Sequence, residues 1–318
     1  QTAPASPSQD TGGLSPQAVA TLLSLQKVHD YPFYVMHYQG GYDFPHLTSS
    51  LPPAVDISCS LFASLNQAGD LFYGRNFDWE FSPSLLLFTD PPDGLASVSM
   101  VDLEFLGIEP GQAKNLADLP LSDRVSLLDA PAMPFDGMNE SGLTIAMAAV
   151  PEQYVDDATF DASRPSIGSI GIIRLVLDHA RDVDEAVDLF KQYNINFGGG
   201  PPIHYLIADR GRKAVLIEFY QSEMLVLTNE VPWHLATNHL RCIATGDGDC
   251  QRYRHLSERL DASNGWLDAD GAMQLLSDVA QDSTQWSSVY NMHNGDVSVV
   301  VAQEYDQVFS FHLDLLQP

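Results

Sequence analysis

The chain has 318 residues, enough for one large domain or two small ones, and 45% of them are hydrophobic, which excludes a largely disordered polypeptide. Against 15 lysines and arginines stand 42 aspartates and glutamates. The resulting net charge of −27 excludes the basic patches that nucleic-acid binding requires. No apolar run approaches the roughly 18 residues of a membrane-spanning helix, so no membrane span is expected.

The first residues, Q-T-A-P-A-S-P-S-Q-D-T-G-G, carry no initiator methionine and are rich in proline, serine, threonine and glycine. Residues 1–14 read as a flexible linker left by removal of a signal peptide, which points to a secreted or periplasmic protein. Ser15-Pro16 opens a helix whose Ala18, Leu22, Leu23 and Leu25 form an apolar face. Residues 31–38 read as a strand that ends at Gly40-Gly41, and residues 45–53, with three prolines, as a loop.

Residues 59–65 and 71–76 are two strand-like runs joined by N-Q-A-G-D, a hairpin signal. Strands follow near 83–89, 96–101 and 143–149. Helices are expected over 171–181 and 184–193, then a meander of strands over 203–209, 213–219 and 224–228. Two helices fit 250–261 and 270–280. The chain closes with strands at 286–293, 296–302 and 308–313, the first two joined by Asn294-Gly295, a type I′ turn signal. Strands and helix pairs are segregated, not alternating, so an α+β fold with antiparallel sheets is expected.

Several chemistries drop out. Gly198-Gly199-Gly200 runs into two prolines with no Lys-Ser/Thr behind it, so it is not a phosphate loop. The ten histidines show no H-x-x-x-H spacing, so neither a metal nor a cofactor is expected. There is no G-x-S-x-G elbow. Cys242 and Cys250 lie eight residues apart around T-G-D-G-D and are read as a small disulfide loop, with two unpaired thiols as the alternative. Cys59 is then the odd cysteine. Alone in a buried strand it is ordinarily a small hydrophobe. But Arg75 and Asp78 follow it by 16 and 19 residues, and hairpin pairing places the end of the second strand beside the start of the first. A guanidinium near a thiol favours the thiolate, and the carboxylate holds the arginine or an ammonium group. A buried Arg–Asp brace is the competing reading.

The run C-S-L-F-A-S-L-N-Q-A-G-D-L-F-Y-G-R-N-F-D-W at 59–79 resembles the linear amide C–N hydrolases. These include choloylglycine hydrolases, penicillin V acylases, acid ceramidase relatives and isopenicillin N acyltransferase-like proteins. The resemblance continues in order through F-D-G-M-N-E-S-G-L-T-I-A at 135–146, H-Y-L-I-A-D-R-G-R-K-A-V-L-I-E at 204–218 and A-T-N-H at 236–239. It implies a four-layer αββα sandwich of two antiparallel sheets, the N-terminal nucleophile fold. In that fold the nucleophile's own amine serves as base, so the chain is expected to cut itself between Ser58 and Cys59. Residues 15–58 then become a propeptide packing on a catalytic domain at 59–318.

The resemblance also implies roles. Cys59 attacks the amide carbonyl and forms a thioester, Asp78 binds its freed amine, and Arg75 sits by the sulfur. Asn238 and the Ala149 backbone N–H stabilise the oxyanion, and Arg252, or Arg254 two residues on, lies near the site. Asn139 is read as a turn residue, Asp209 and Glu218 as serving their hairpin and His239 as a satisfied histidine. The residue after the nucleophile is Ser60 where many members have threonine, and the long leader tilts the resemblance towards the acid ceramidase and isopenicillin side. The expected activity is hydrolysis of an N-acyl amide, a small-molecule substrate. Transfer of the acyl group to an amine and a catalytically silent binding protein are the alternatives, and homo-oligomerisation is left open.

Overall fold

A computed structural model describes residues 13–42, 49–51, 58–151, 161–198, 200–246 and 250–317. Most of the expected linker, most of the loop at 45–53 and the tip between Cys242 and Cys250 lie outside the described residues. In chain order the elements begin with α1 (Pro16–Leu23), β1 (Gln26–His29), β2 (Phe33–His37), β3 (Ser58–Ser64), β4 (Phe72–Asp78), β5 (Ser84–Thr89) and β6 (Ser97–Asp102). Short helical turns, with α2 (Pro110–Ala113) among them, lead to β7 (Pro134–Asn139), β8 (Thr144–Ala149), β9 (Ser166–Gly168), α3 (Gly171–His179), α4 (Val183–Gln192) and β10 (Asn194–Asn196). The chain ends with β11 (Ile203–Ala208), β12 (Ala214–Tyr220), β13 (Glu223–Thr228), β14 (Trp233–Ala236), α5 (Gln251–Ala262), α6 (Ala269–Asp278), β15 (Thr284–Asn291), β16 (Asp296–Val301) and β17 (Phe309–His312).

Helix starts follow local chemistry. Ser15 accepts the Ala18 N–H ahead of Pro16, Asp182 accepts that of Glu185, and Asp268 that of Gly271. Two sheets dominate the described residues. One has nine strands in the order β1-β2-β5-β6-β7-β8-β11-β12-β13, the other six in the order β14-β3-β4-β15-β16-β17. They face each other across a core that joins Cys59, Leu61, Phe77 and Trp286 of the smaller sheet to Leu86, Met138, Ala146 and Leu206 of the larger. Leu256 and Leu260 of α5 and Leu275 and Leu276 of α6 cover the smaller sheet over Phe62, Phe72 and Val289. On the larger sheet α3 and α4 pack into the main core, while α1 and the helical turns cover Tyr34, Met36, Leu85 and Leu87. The layers are therefore helix, sheet, sheet, helix, as expected. No helix of the described residues is long and apolar enough to cross a membrane.

Three details differ from the sequence expectation. The larger sheet is not wholly antiparallel, because β2 runs parallel to β5 from Phe33 opposite Ser84 to His37 opposite Phe88. A parallel neighbour requires a long crossover, and here the chain visits the other sheet through the β3–β4 hairpin before returning. β1, a half-exposed edge strand with no strong alternation, escaped the sequence reading, as did the short strands β9, β10 and β14. The Asn294-Gly295 connection is also not a type I′ turn, which needs positive φ at both residues. Only Gly295 has it, at 91°, and its N–H reaches Asn291 O at 2.9 Å. A Cβ at Gly295 would lie 2.0 Å from Leu313 O, so close approach of the last segment demands the glycine.

The β3–β4 hairpin carries the site. Its register sets Cys59 opposite Phe77, Leu61 opposite Arg75 and Ser58 opposite Asp78. Side chains alternate across a strand, so Cys59, Leu61, Arg75 and Phe77 face the other sheet while Ser58, Ser60, Asn76 and Asp78 face the helices. Gly74 has no side chain because the Phe62 ring lies where its Cβ would be, 2.3 Å away.

Candidate active site

Cys59 is fully buried on the sheet–sheet side. Arg75 lies diagonally across the hairpin, and its Nη2 donates to Cys59 Sγ at 3.4 Å. The arginine is also fully buried and is held by Asp136 of β7, whose Oδ2 accepts from Nη1 at 2.6 Å. Asp136 further accepts from Ser288 Oγ at 3.1 Å, from Trp286 Nε1 at 3.4 Å and from the Tyr290 hydroxyl. The Arg75 guanidinium lies 4.8 Å from the centre of the Phe77 ring. The partner of the arginine is thus Asp136 and not Asp78. Sequence reasoning quoted the F-D-G-M-N run without singling out this aspartate. Its signal was a carboxylate inside an otherwise apolar strand, which must meet a cation or donors once buried.

Burial pushes the Cys59 thiol up, and the pull of Arg75 only partly offsets it. The expected lowering by the guanidinium exists, but desolvation outweighs it while Cys59 is an internal residue of β3.

The helix-facing side is polar. Asp78 accepts from Gln281 Nε2 and Thr284 Oγ1, both at 2.5 Å, and Arg252 of α5 lies 3.7 Å away. Burial pushes the Asp78 carboxyl up against these donors. Asn238 follows β14, whose register sets Ala236 opposite Leu61. Two residues further along the same register, Asn238 stands opposite Cys59. Its Oδ1 accepts the Cys59 backbone N–H at 2.8 Å, and its Nδ2 donates to Ala149 O at 2.8 Å. Arg252 donates to the Cys59 carbonyl through Nη1, to Ser60 Oγ at 2.9 Å through the same nitrogen, and to Asn238 Oδ1 at 2.9 Å through Nη2. Arg254 is exposed, so geometry selects Arg252 between the two.

The fold therefore brings Cys59, Arg75, Asp78, Asn238, Ala149 and Arg252 together, with Ser58 joined to Cys59 in the same strand. Ala149 meets Asn238 through its carbonyl, whereas the sequence expectation concerned its N–H. The expected disulfide is not formed. Cys242 and Cys250 are free thiols with separate surroundings. Burial, then Glu218, push Cys242 up to about 12. Against the opposing effect of burial, His239 and Thr237 hold Cys250 down to about 6. Asn139 is a buried turn residue that accepts the Ser141 and Leu143 N–H groups and donates to Leu177 O and Ala180 O. His239 is satisfied by Thr237 Oγ1 and Arg241 Nη1. Leu85 to Thr89 belong to β5, a core strand.

A helix–sheet–sheet–helix sandwich is the N-terminal nucleophile fold that the resemblance implies, and solved structures share it. A mutant of the conjugated bile acid hydrolase from Clostridium perfringens superposes with a TM-score of 0.58 at 16% identity, over 80% of this chain and 92% of that one. Penicillin V acylase from Agrobacterium tumefaciens does so with a TM-score of 0.51 at 15% identity, over 80% and 87%. The chain belongs to the acyl-coenzyme A:6-aminopenicillanic acid acyl-transferase family, whose model matches residues 129–305, more than half of its length. Asp136, Ala149, Asn238 and Arg252 lie within that match, and Cys59, Arg75 and Asp78 precede it. None of the curated proteins compared matches the chain.

Proposed function

We propose that the protein is a cysteine amidohydrolase of N-acyl amides that first cuts its own chain between Ser58 and Cys59. The observation that carries this reading is the grip on Cys59. Its sulfur lies against Arg75, its N–H is held by Asn238, and its carbonyl is held by Arg252. In self-cleavage the thiol of Cys59 adds to the Ser58 carbonyl carbon, the Ser58–Cys59 C–N bond breaks, and the freed nitrogen takes up the proton. Water then hydrolyses the resulting thioester, leaving a carboxylate on Ser58 and a free thiol and amine on Cys59. Asn238 Oδ1 and the Asp78 carboxylate, across the strand from Ser58, are the groups that receive the new amine.

The same thiol then attacks a substrate amide, with its amine as base. A reference amine pKa of about 7.7 to 8.0 suits proton transfer near neutral pH. Asn238 Nδ2 and the Ala149 N–H are assigned to the oxyanion. Residues 15–58 are a propeptide that stays with the body, because they supply β1, β2 and the α1 cover of the core. Placement outside the cytoplasm rests on the composition of residues 1–14 and on a lysine content of four, Lys27, Lys114, Lys191 and Lys213, and the two free thiols give it no disulfide in support.

Intact mass spectrometry tests the first step: two pieces parted at Ser58–Cys59 in the wild type, one uncut chain in Cys59→Ala. Acylase assays over acyl amino acids, acyl homoserine lactones, penicillin V, bile-salt conjugates and acyl polyamines test the second. An uncut wild type, or amidase activity surviving Cys59→Ala, sinks the reading. Acyl transfer to an amine is the second reading, favoured by the family match. Products formed in the presence of added amines decide it.

A further inference from the structure

His204 of β11 and Glu218 of β12 stand directly opposite each other, since Tyr205 pairs with Ile217 in the same register. Both are fully buried, and neither has a part in the chemistry above. His204 Nδ1 lies 3.1 Å from Glu218 Oε1, and His204 Nε2 lies 2.7 Å from Thr237 O. Glu218 Oε1 also accepts the Arg241 N–H at 2.7 Å, and Oε2 the Cys242 N–H at 2.8 Å. The pair therefore holds the segment 237–242 at both ends, and Asn238 lies inside that segment.

A carbonyl oxygen only accepts, so Nε2 carries a hydrogen. Burial opposes the ionised Glu218, yet His204 and the two backbone donors hold it below the usual carboxylate range. One hydrogen lies between Nδ1 and Glu218 Oε1, so the two side chains are joined whichever of them holds it. We infer that His204 and Glu218 form a buried hydrogen-bonded pair that positions Asn238 for reaction. The inference deepens the proposed function and rests on its reading of Asn238. Glu218 is a positioning residue, acting through the loop and not on the substrate. Removing one member leaves the other buried and unmatched, and the segment then loses its fixed ends.

The test uses the full-length chain. In wild type at pH 7, ¹⁵N NMR of histidine-labelled protein is expected to show Nε2 of His204 carrying a hydrogen, with His204→Asn providing the assignment. A ring with a bare Nε2, unable to donate to Thr237 O, overturns the inference without any variant having to fold. Glu218→Gln keeps the side-chain shape and is expected to slow self-cleavage by roughly 10²-fold, as displacement of a reacting group by about 1 Å does. The double variant with His204→Asn should lose no more than the single variants, because the pair acts as a unit. A Glu218→Gln chain that cuts itself at the wild-type rate overturns the inference alone. A wild type that never cuts itself overturns the reading of Asn238 and the inference with it.

Discussion

The two faces of the β3–β4 hairpin solve opposite problems around one residue. On the sheet–sheet face a full guanidinium–carboxylate pair is buried beside a thiol, under Phe77 and Trp286. On the helix face the same strands present Ser60 and Asp78 to Gln281, Thr284 and the less buried Arg252, while Asn76 donates to Leu276 O of α6 and accepts from Ser287 Oγ. A buried ion pair costs desolvation that its own attraction barely repays, so its presence speaks for a positional role at the sulfur. The helix face handles the backbone of Cys59 with ordinary hydrogen bonds. The residue is thus gripped by a rigid, dry charge pair on its side chain and by an adjustable polar network on its peptide groups.

Perturbing each face separates the two contributions. Cys59→Ala has the largest effect: self-cleavage and activity vanish while the fold persists, read by intact mass and circular dichroism. Asp136→Ala comes next, since it strands Arg75 in the dry face. Denaturant unfolding should show a loss of about 3–5 kcal/mol, and unchanged stability would show that the two faces do not differ as described. Arg252→Lys acts on the polar face, where hydrogen bonds to charged groups contribute about 1.5–3 kcal/mol. It should slow self-cleavage about tenfold or more and lower the melting temperature by only a few degrees.

The smallest effect is one of pH. The folded-state pKa of Asp78 is raised, so the folded chain binds this proton more tightly than the unfolded one. Its contribution to stability is therefore complete below the ordinary aspartate pKa and is lost as pH rises through the folded value. In the uncut Cys59→Ala background, Asp78→Asn should make the fall in melting temperature above pH 4 shallower. An unchanged slope would refute the shift.

Much of this was legible in the sequence where it depended on local period. The hairpin register followed from two apolar runs and N-Q-A-G-D, and it placed Arg75 by Cys59. The α5 and α6 helices and the closing strands were also read within a few residues. Asp136 was not singled out, because its contact with Arg75 joins two sheets across 61 residues of chain. The parallel entry of β2 was hidden for the same reason, since pairing partners of an edge segment have no local signature. The protonation of Cys59 depends on burial, which spacing does not encode. The turn at Asn294-Gly295 has the right residue pair, but Asn291 captures the His293 and Asn294 N–H groups and so sets another geometry.

The parallel strand β2 carries one more consequence. It lies between β1 and β5, and with both leader strands gone β5 would become the rim of the larger sheet. An open rim of unpaired amides and carbonyls flanked by Leu85, Leu86 and Leu87 is a template for other chains. The body freed of residues 1–58 would be prone to aggregate, so a preparation that strips the leader with denaturant should precipitate on refolding where the cut but complete protein stays in solution.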